Sequence, residues 1–264
     1  MLKISMLYSY GVSLLILCPM IFLAAFIDSI AGGGGLITLP AYLFVGIPIH
    51  TASGTNKFAS SIGTFVAVIN YIKGGYVDFY AALPGSAGAF LGAWIGTTLA
   101  LSLSPRALQV CLMVIIPLVG LFVFFRRGKV NPEPKKPLEL KWKLIVSFLI
   151  GLIFGCYDGF FGPGTGMFMT LALTAIIRLE LTKSVGTAKV MNFSSNFVSM
   201  ITWFVNGKIL FPVALPCMVC SVAGGFIGSR MAMKSGNKII RPILALVAAL
   251  LFAKILFDLV VHSF

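Results

Sequence analysis

Charge is what this chain has least of. Seven Asp and Glu and twenty Lys and Arg make up only 10% of its 264 residues, against about 25% in an ordinary soluble domain. With 59% apolar residues and a mean hydropathy of +1.03, this excludes a soluble globular protein. Only Asp28 breaks the uncharged stretch between Lys3 and Lys57, and only Asp158 that from Leu144 to Ile177. Runs 79–105, 107–125, 190–207 and 209–229 have no charge at all, and each approaches or exceeds the roughly 20 residues of a bilayer crossing. Histidine is as scarce, with two copies. The five cysteines (Cys18, Cys111, Cys156, Cys217 and Cys220) lie in apolar segments. An odd number so placed does not make a disulfide framework. Cys217-Met-Val-Cys220 has CxxC spacing without a neighbouring ligand, so no metal site, cofactor or catalytic group is expected.

The net charge of +13 is not read as nucleic-acid binding, because no basic stretch is interleaved with aromatics on a soluble domain. In a membrane protein Lys and Arg collect in cytoplasmic loops. The first 30 residues could pass for a signal peptide, yet no small-residue cleavage site ends the apolar core, and the repeat described next uses this segment.

FIDSIAGGGGLIT (26–38) aligns with CYDGFFGPGTGMFMT (156–170), setting Asp28 against Asp158 and the glycine run against Gly162-Pro-Gly-Thr-Gly166. A single offset of 132 then matches Thr38 with Thr170, Gly54-Thr55-x-Lys57 with Gly186-Thr187-x-Lys189, and Gly75 with Gly207. It continues through Pro84 and Pro216, through Gly92 and Gly96 with Gly224 and Gly228, to Phe125 and Phe257. The chain therefore reads as two copies, 1–125 and 144–264, joined by a basic linker, 126–143.

Equivalent loops have opposite charge character. The linker holds two Arg and five Lys, whereas its counterpart after the second copy is only His262-Ser-Phe. The loop at 230–241 has four basic residues, and its counterpart near 98–106 has only Arg106. An inverted repeat predicts this pattern. With the linker cytoplasmic and both termini periplasmic, 14 Lys and Arg fall inside and four outside. The expected fold is an all-α polytopic membrane protein of two inverted-topology repeats. It has about eight transmembrane helices plus short half-helices, each repeat carrying a broken or re-entrant helix at its Gly-rich motif.

Each copy reads as a span (8–31; 143–160), a break, a short apolar piece (36–47; 167–177), then helices near 55–72, 79–101 and 106–125, and near 187–206, 211–230 and 239–262. The small residues of GAWIG (92–96), matched by Gly224 and Gly228, let helices approach closely in lipid. The stripe Lys254, Asp258 and His262 reads as a salt bridge at a helix end.

A helix broken inside a bilayer leaves backbone groups that only protein, water or a ligand can satisfy. Each new half-helix start offers N–H donors and a positive dipole end, a ready anion site. The candidate substrate-binding residues are therefore Gly32, Gly33, Gly34, Gly35 and Thr38 at the first break. At the second they are Gly162, Gly164, Thr165, Gly166 and Thr170. Tight helix packing is the alternative role for the glycines. Thr55, Asn56, Lys57, Thr187, Lys189 and Asn192 join the set because they make the next helix starts polar. There a lysine could meet an anion, answer Asp28 and Asp158, or snorkel. Asp28 and Asp158 each cost roughly 2.5–3.5 kcal/mol at bilayer depth. An unpaired carboxylate there favours its proton-bearing form, so a proton-coupling and a structural role are both open.

These residues also carry a resemblance. FIDSIAGGGGLITLPA with GTNK, and YDGFFGPGTGMF with TAKVMNF, resemble the TauE/SafE family of bacterial membrane transporters, closest to its YfcA-like branch, over nearly the whole chain. The resemblance implies an inner-membrane exporter or importer of sulfur-containing oxyanions such as sulfite, sulfoacetate and other sulfonates. Copy two departs from copy one where Pro40 and Pro48 become Ala172 and Glu180, which makes the half-sites unequal. The partners expected are a small anion, protons if they couple, and lipid. An anion channel would use the same chemistry. A scaffold would leave the polar breaks without a purpose, and an intramembrane aspartyl protease would need a GxGD motif that the chain lacks.

Overall fold

The computed structural model describes residues 7–108, 110–111, 138–247 and 249. These residues are helical, with no strand among them. The helices are α1 (Tyr10–Ala31), α2 (Gly35–Phe44), α3 (Ile49–Lys73), α4 (Phe79–Ser102), α5 (Leu140–Phe160), α6 (Thr165–Ala172, running on into a π turn at Leu173–Ile177), α7 (Leu181–Val205) and α8 (Phe211–Ser235). Residues 105–108 and 237–247 are also helical. Three helices, α1, α5 and α8, are long and apolar enough to cross a membrane by length and composition. Most of the expected helix 106–125 and of the linker 126–143, the last part of 239–262, the Phe125–Phe257 match and the Lys254, Asp258, His262 stripe lie outside the described residues.

The chain doubles back at the first break. Leu7 N donates to Val45 O at 3.1 Å and the Tyr8 ring stacks on Phe44, so α2 returns toward the side from which α1 enters. Its ten residues reach only about 15 Å at 1.5 Å per residue. It is a half-helix.

One expectation needs correction. The helices expected to start near 55 and 187 begin at Ile49 and Leu181, directly after Pro48 and Glu180. Gly54 and Gly186, which fall just before the expected starts, are packing residues inside helices. A Cβ on Gly54 would collide with the Lys208 carbonyl, and one on Gly186 with the Tyr76 carbonyl. Lys57 and Lys189 are therefore each eight residues inside a helix, roughly 12 Å from its start, and both are buried. Neither snorkels.

Contacts recur with their partners exchanged. α4 packs along α5 and α1 along α8, while α3 packs on α8 and α4 on α7. A Cβ on Gly92 or Gly96 would strike the carbonyl of Leu152 or Cys156, and one on Gly224 or Gly228 would crowd that of Phe22 or Phe26. Leu210 N donates to Thr55 Oγ1 at 3.1 Å, and Asp78 N to Thr187 Oγ1 at 3.0 Å. Asp78 also caps α4 through Ala81 N and pairs with Lys143 at the start of α5, at 2.6 Å. Large apolar side chains such as Leu15, Leu83, Trp94, Ile153 and Val219 are left facing outward, as a lipid-facing surface requires.

Candidate functional site

The two breaks meet back to back. Gly32 ends α1 at φ 75° with its N–H on Asp28 O, and a Cβ there would run into the backbone of Gly166 and Met167. A Cβ on Gly35 would come to 3.1 Å from Pro163 Cα. Glycine at position 32 thus serves two needs, a left-handed turn and backbone-to-backbone approach. Gly164 (φ 85°) opens α6 in the same left-handed region.

Asp28 sits one turn before the end of α1, and its carboxylate folds over the break. Oδ1 accepts from Gly33 N at 3.0 Å and Gly34 N at 3.1 Å, and Oδ2 from Lys189 Nζ at 2.6 Å. The anion at this half-helix start is the protein's own. Two of the donors that the break was expected to offer to a substrate, Gly33 N and Gly34 N, are engaged by the Asp28 carboxylate, which needs such partners away from water.

Asp158 is held differently. Pro163 occupies the second break and has no N–H to give. Asp158 Oδ2 instead accepts from Lys57 Nζ at 2.7 Å and Ser195 Oγ at 2.6 Å. Lys57 Nζ also donates to Asn196 Oδ1 at 2.8 Å, and Asn196 Nδ2 donates to Asn192 Oδ1 at 3.2 Å. The ion pairs are thus crossed: the lysine of α7 answers the aspartate of α1, and the lysine of α3 that of α5. The four charges sum to zero.

A cavity with about 40 Å³ of water-accessible space adjoins this quartet, enough for a few waters or one small polyatomic ion. Asp28, Gly34, Gly35, Thr38, Asn56, Lys57, Asp158, Gly162, Gly166 and Asn192 line it. Gly32, Gly33, Gly164, Thr165, Thr170 and Lys189 stand behind this wall, and Thr55 and Thr187 bond to the chain entering α8 and α4. Thr170 Oγ1 is spent on Gly166 O at 2.8 Å and Thr165 Oγ1 on Gly162 O at 2.9 Å. Thr38 Oγ1, though buried, has no hydrogen-bond partner. Ser29, Ser60, Thr64, Asn196 and Ser221 complete the polar lining. The sequence signal for Thr64 and Ser221 was slight, single hydroxyls in apolar helices. Asp28 keeps 23% of its side chain exposed, Asp158 only 3%.

The family model described as "Sulfite exporter TauE/SafE" matches residues 17–255. A "Probable membrane transporter protein" of Haemophilus influenzae is 36% identical over 237 residues, covering 90% of this chain and 92% of its own length. The "Probable membrane transporter protein YfcA" of Escherichia coli K12 is 33% identical, covering 89% and 87%. A "Probable membrane transporter protein ORF9" of a Sinorhizobium species is 32% identical, covering 90% of each. No solved structure matches.

Proposed function

The chain belongs to the sulfite exporter TauE/SafE family of membrane transporters, and from that membership we propose a secondary carrier of small anions, sulfur-containing oxyanions such as sulfite or organosulfonates. It works in the bacterial inner membrane by alternating access and is not an enzyme. The observation that carries this reading is the junction of two opposed helix breaks at one polar cavity, with a lysine and an aspartate crossing between them. Broken helices at a cavity are the usual site of substrate in carriers built from repeats.

We read the fold as two inverted repeats, 1–125 and 144–264, on either side of a cytoplasmic linker. The exchanged contacts support it: Gly54–Lys208 against Gly186–Tyr76, Thr55–Leu210 against Thr187–Asp78, and Lys57–Asp158 against Lys189–Asp28. The Asp78–Lys143 pair supports placing loop 73–78 and the end of the linker on one side. With the linker inside, both termini are periplasmic. The cavity is lined mainly from α1 and α3, and no residue of α4 lines it.

The test is uptake of labelled sulfite and methanesulfonate by purified protein in proteoliposomes. Saturable uptake that one anion blocks for the other supports the carrier. Flux that does not saturate points to a channel, and no flux of either anion removes the sulfur assignment.

A further inference from the structure

The charge count of the site limits what it can accept. Lys57, Lys189, Asp28 and Asp158 already cancel, and each charge is hydrogen-bonded. An added anion would be an uncompensated buried charge, which a low-dielectric interior disfavours strongly. Two backbone donors of the first break, Gly33 N and Gly34 N, are also occupied, by Asp28. Substrate binding needs a donor set to be released together with one negative charge.

We propose that the substrate exchanges with the Asp28 carboxylate, and that Asp28 takes up one proton for each monovalent oxyanion bound. The proposal rests on the carrier reading and specifies its coupling and the charge of its cargo. Protonated Asp28 gives up its ionic hold on Lys189 Nζ and on the N–H groups of Gly33 and Gly34. These donors, joined by Thr38 Oγ1, receive the oxygen atoms of a sulfonate or of hydrogen sulfite. The proton resides on the Asp28 carboxyl, no covalent bond to substrate forms, and the loaded site is again neutral: two lysines, Asp158 and one bound monoanion.

Geometry selects Asp28 over Asp158. Both carboxylates line the cavity, and Asp28 is the more exposed of the two, 23% against 3%. Its partners include two backbone N–H groups at the start of the ten-residue α2, where they are fixed whether or not the carboxylate remains. Thr38, in the same helix, is over nine-tenths buried, lines the cavity and has an unpartnered hydroxyl. At the second break Pro163 supplies no N–H, Ser195 holds the carboxylate, and Thr165 and Thr170 are spent on backbone carbonyls. The charged and titratable groups around Asp28 are Lys189 on α7, Lys57 and Tyr71 on α3 and Asp158 on α5. Tyr71 donates to Ser29 O at 2.8 Å. Lys57 is paired with Asp158, leaving Lys189 as the counter-charge that exchange frees.

The test is proton uptake on binding. Purified protein in weakly buffered detergent solution is titrated with methanesulfonate, whose charge is constant across the working range, while a pH indicator counts protons. Wild type should take up about one proton per anion where Asp28 is ionised, its affinity falling about tenfold per unit rise in pH above that ionisation. Asp28→Asn should bind without proton uptake and without pH dependence. The double variant Lys57→Met/Asp158→Asn, which removes the other ion pair and leaves the site at zero net charge, should keep the proton uptake. Wild-type binding without protons, uptake undiminished in Asp28→Asn, or uptake abolished in the folded double variant each overturns the proposal while leaving the carrier intact. If Asp28→Asn does not fold, the wild-type and double-variant measurements decide alone. Failure of wild type to bind methanesulfonate or sulfite overturns the carrier reading, and the exchange with it.

Discussion

Lys57 Nζ lies 2.7 Å from Asp158 Oδ2 with no more than 6% of either side chain exposed. Helices from the two halves of the chain are thereby tied by charge in a medium that solvates neither end. Removing one partner of such a pair leaves a buried ion without compensation, at about 3–5 kcal/mol. Lys57→Met should lower the thermal midpoint of the purified protein sharply. The double variant Lys57→Met/Asp158→Asn should recover much of the loss, because no lone charge remains. A double variant less stable than Lys57→Met by the full cost of Asp158→Asn alone would show that the two groups do not act as a pair.

Helix spacing gives a second expectation. Gly92→Ala puts a methyl group on the Leu152 carbonyl, and Gly224→Ala puts one on that of Phe22. Each should destabilise by about 1–3 kcal/mol as the helices are forced apart. Gly207 has φ 66° but open space around its missing Cβ, so Gly207→Ala carries only the left-handed penalty of about 1–2 kcal/mol. Melting curves in one detergent separate the two causes when read with helix cross-linking, between α4 and α5 for Gly92→Ala and between α1 and α8 for Gly224→Ala: only the seam variants should alter the cross-link at their own seam.

Much of the site was legible because its parts are rare in lipid. Two carboxylates, two glycine breaks and two lysines stand out against an apolar background, and the 132 offset matches α3 to α7 residue for residue. What could not be read was who bonds to whom. An aspartate four residues before a glycine run can face a substrate or fold back onto the run's own N–H groups, and only the chain path decides. The helix starts were misplaced for a related reason: Gly54 and Gly186 look like helix boundaries until the Lys208 and Tyr76 carbonyls are seen against them. Pro163 was visible as a departure from poly-glycine, but its consequence, Ser195 standing in for an absent N–H, depends on a separate helix, α7.

Access to the cavity can be tested by thiol labelling in a background whose five cysteines are replaced. Ser60 lines the cavity and is half-buried, so Ser60→Cys should react with a small hydrophilic thiol reagent. Ser199 is fully buried and hydrogen-bonded to Thr97 Oγ1 at 2.9 Å, so Ser199→Cys should react far more slowly. Methanesulfonate or sulfite should slow labelling at position 60 alone. Equal rates at both positions would contradict the closed packing of α4, α5 and α7.

Thr38 separates a binding role from a structural one. Its hydroxyl makes no hydrogen bond, so Thr38→Val removes a polar atom without breaking any internal contact, and stability should change by no more than about 0.5 kcal/mol. If that hydroxyl donates to bound oxyanion, affinity for methanesulfonate should fall by about five- to tenfold, the worth of one hydrogen bond of about 1 kcal/mol or slightly more. The matched change at the second break, Thr170→Val, deletes a bond to Gly166 O and should cost stability while leaving the anion affinity of the folded protein near that of wild type. Should the two variants trade places, with Thr38→Val unstable and Thr170→Val weak in binding, the anion would have to sit at α6 instead of α2.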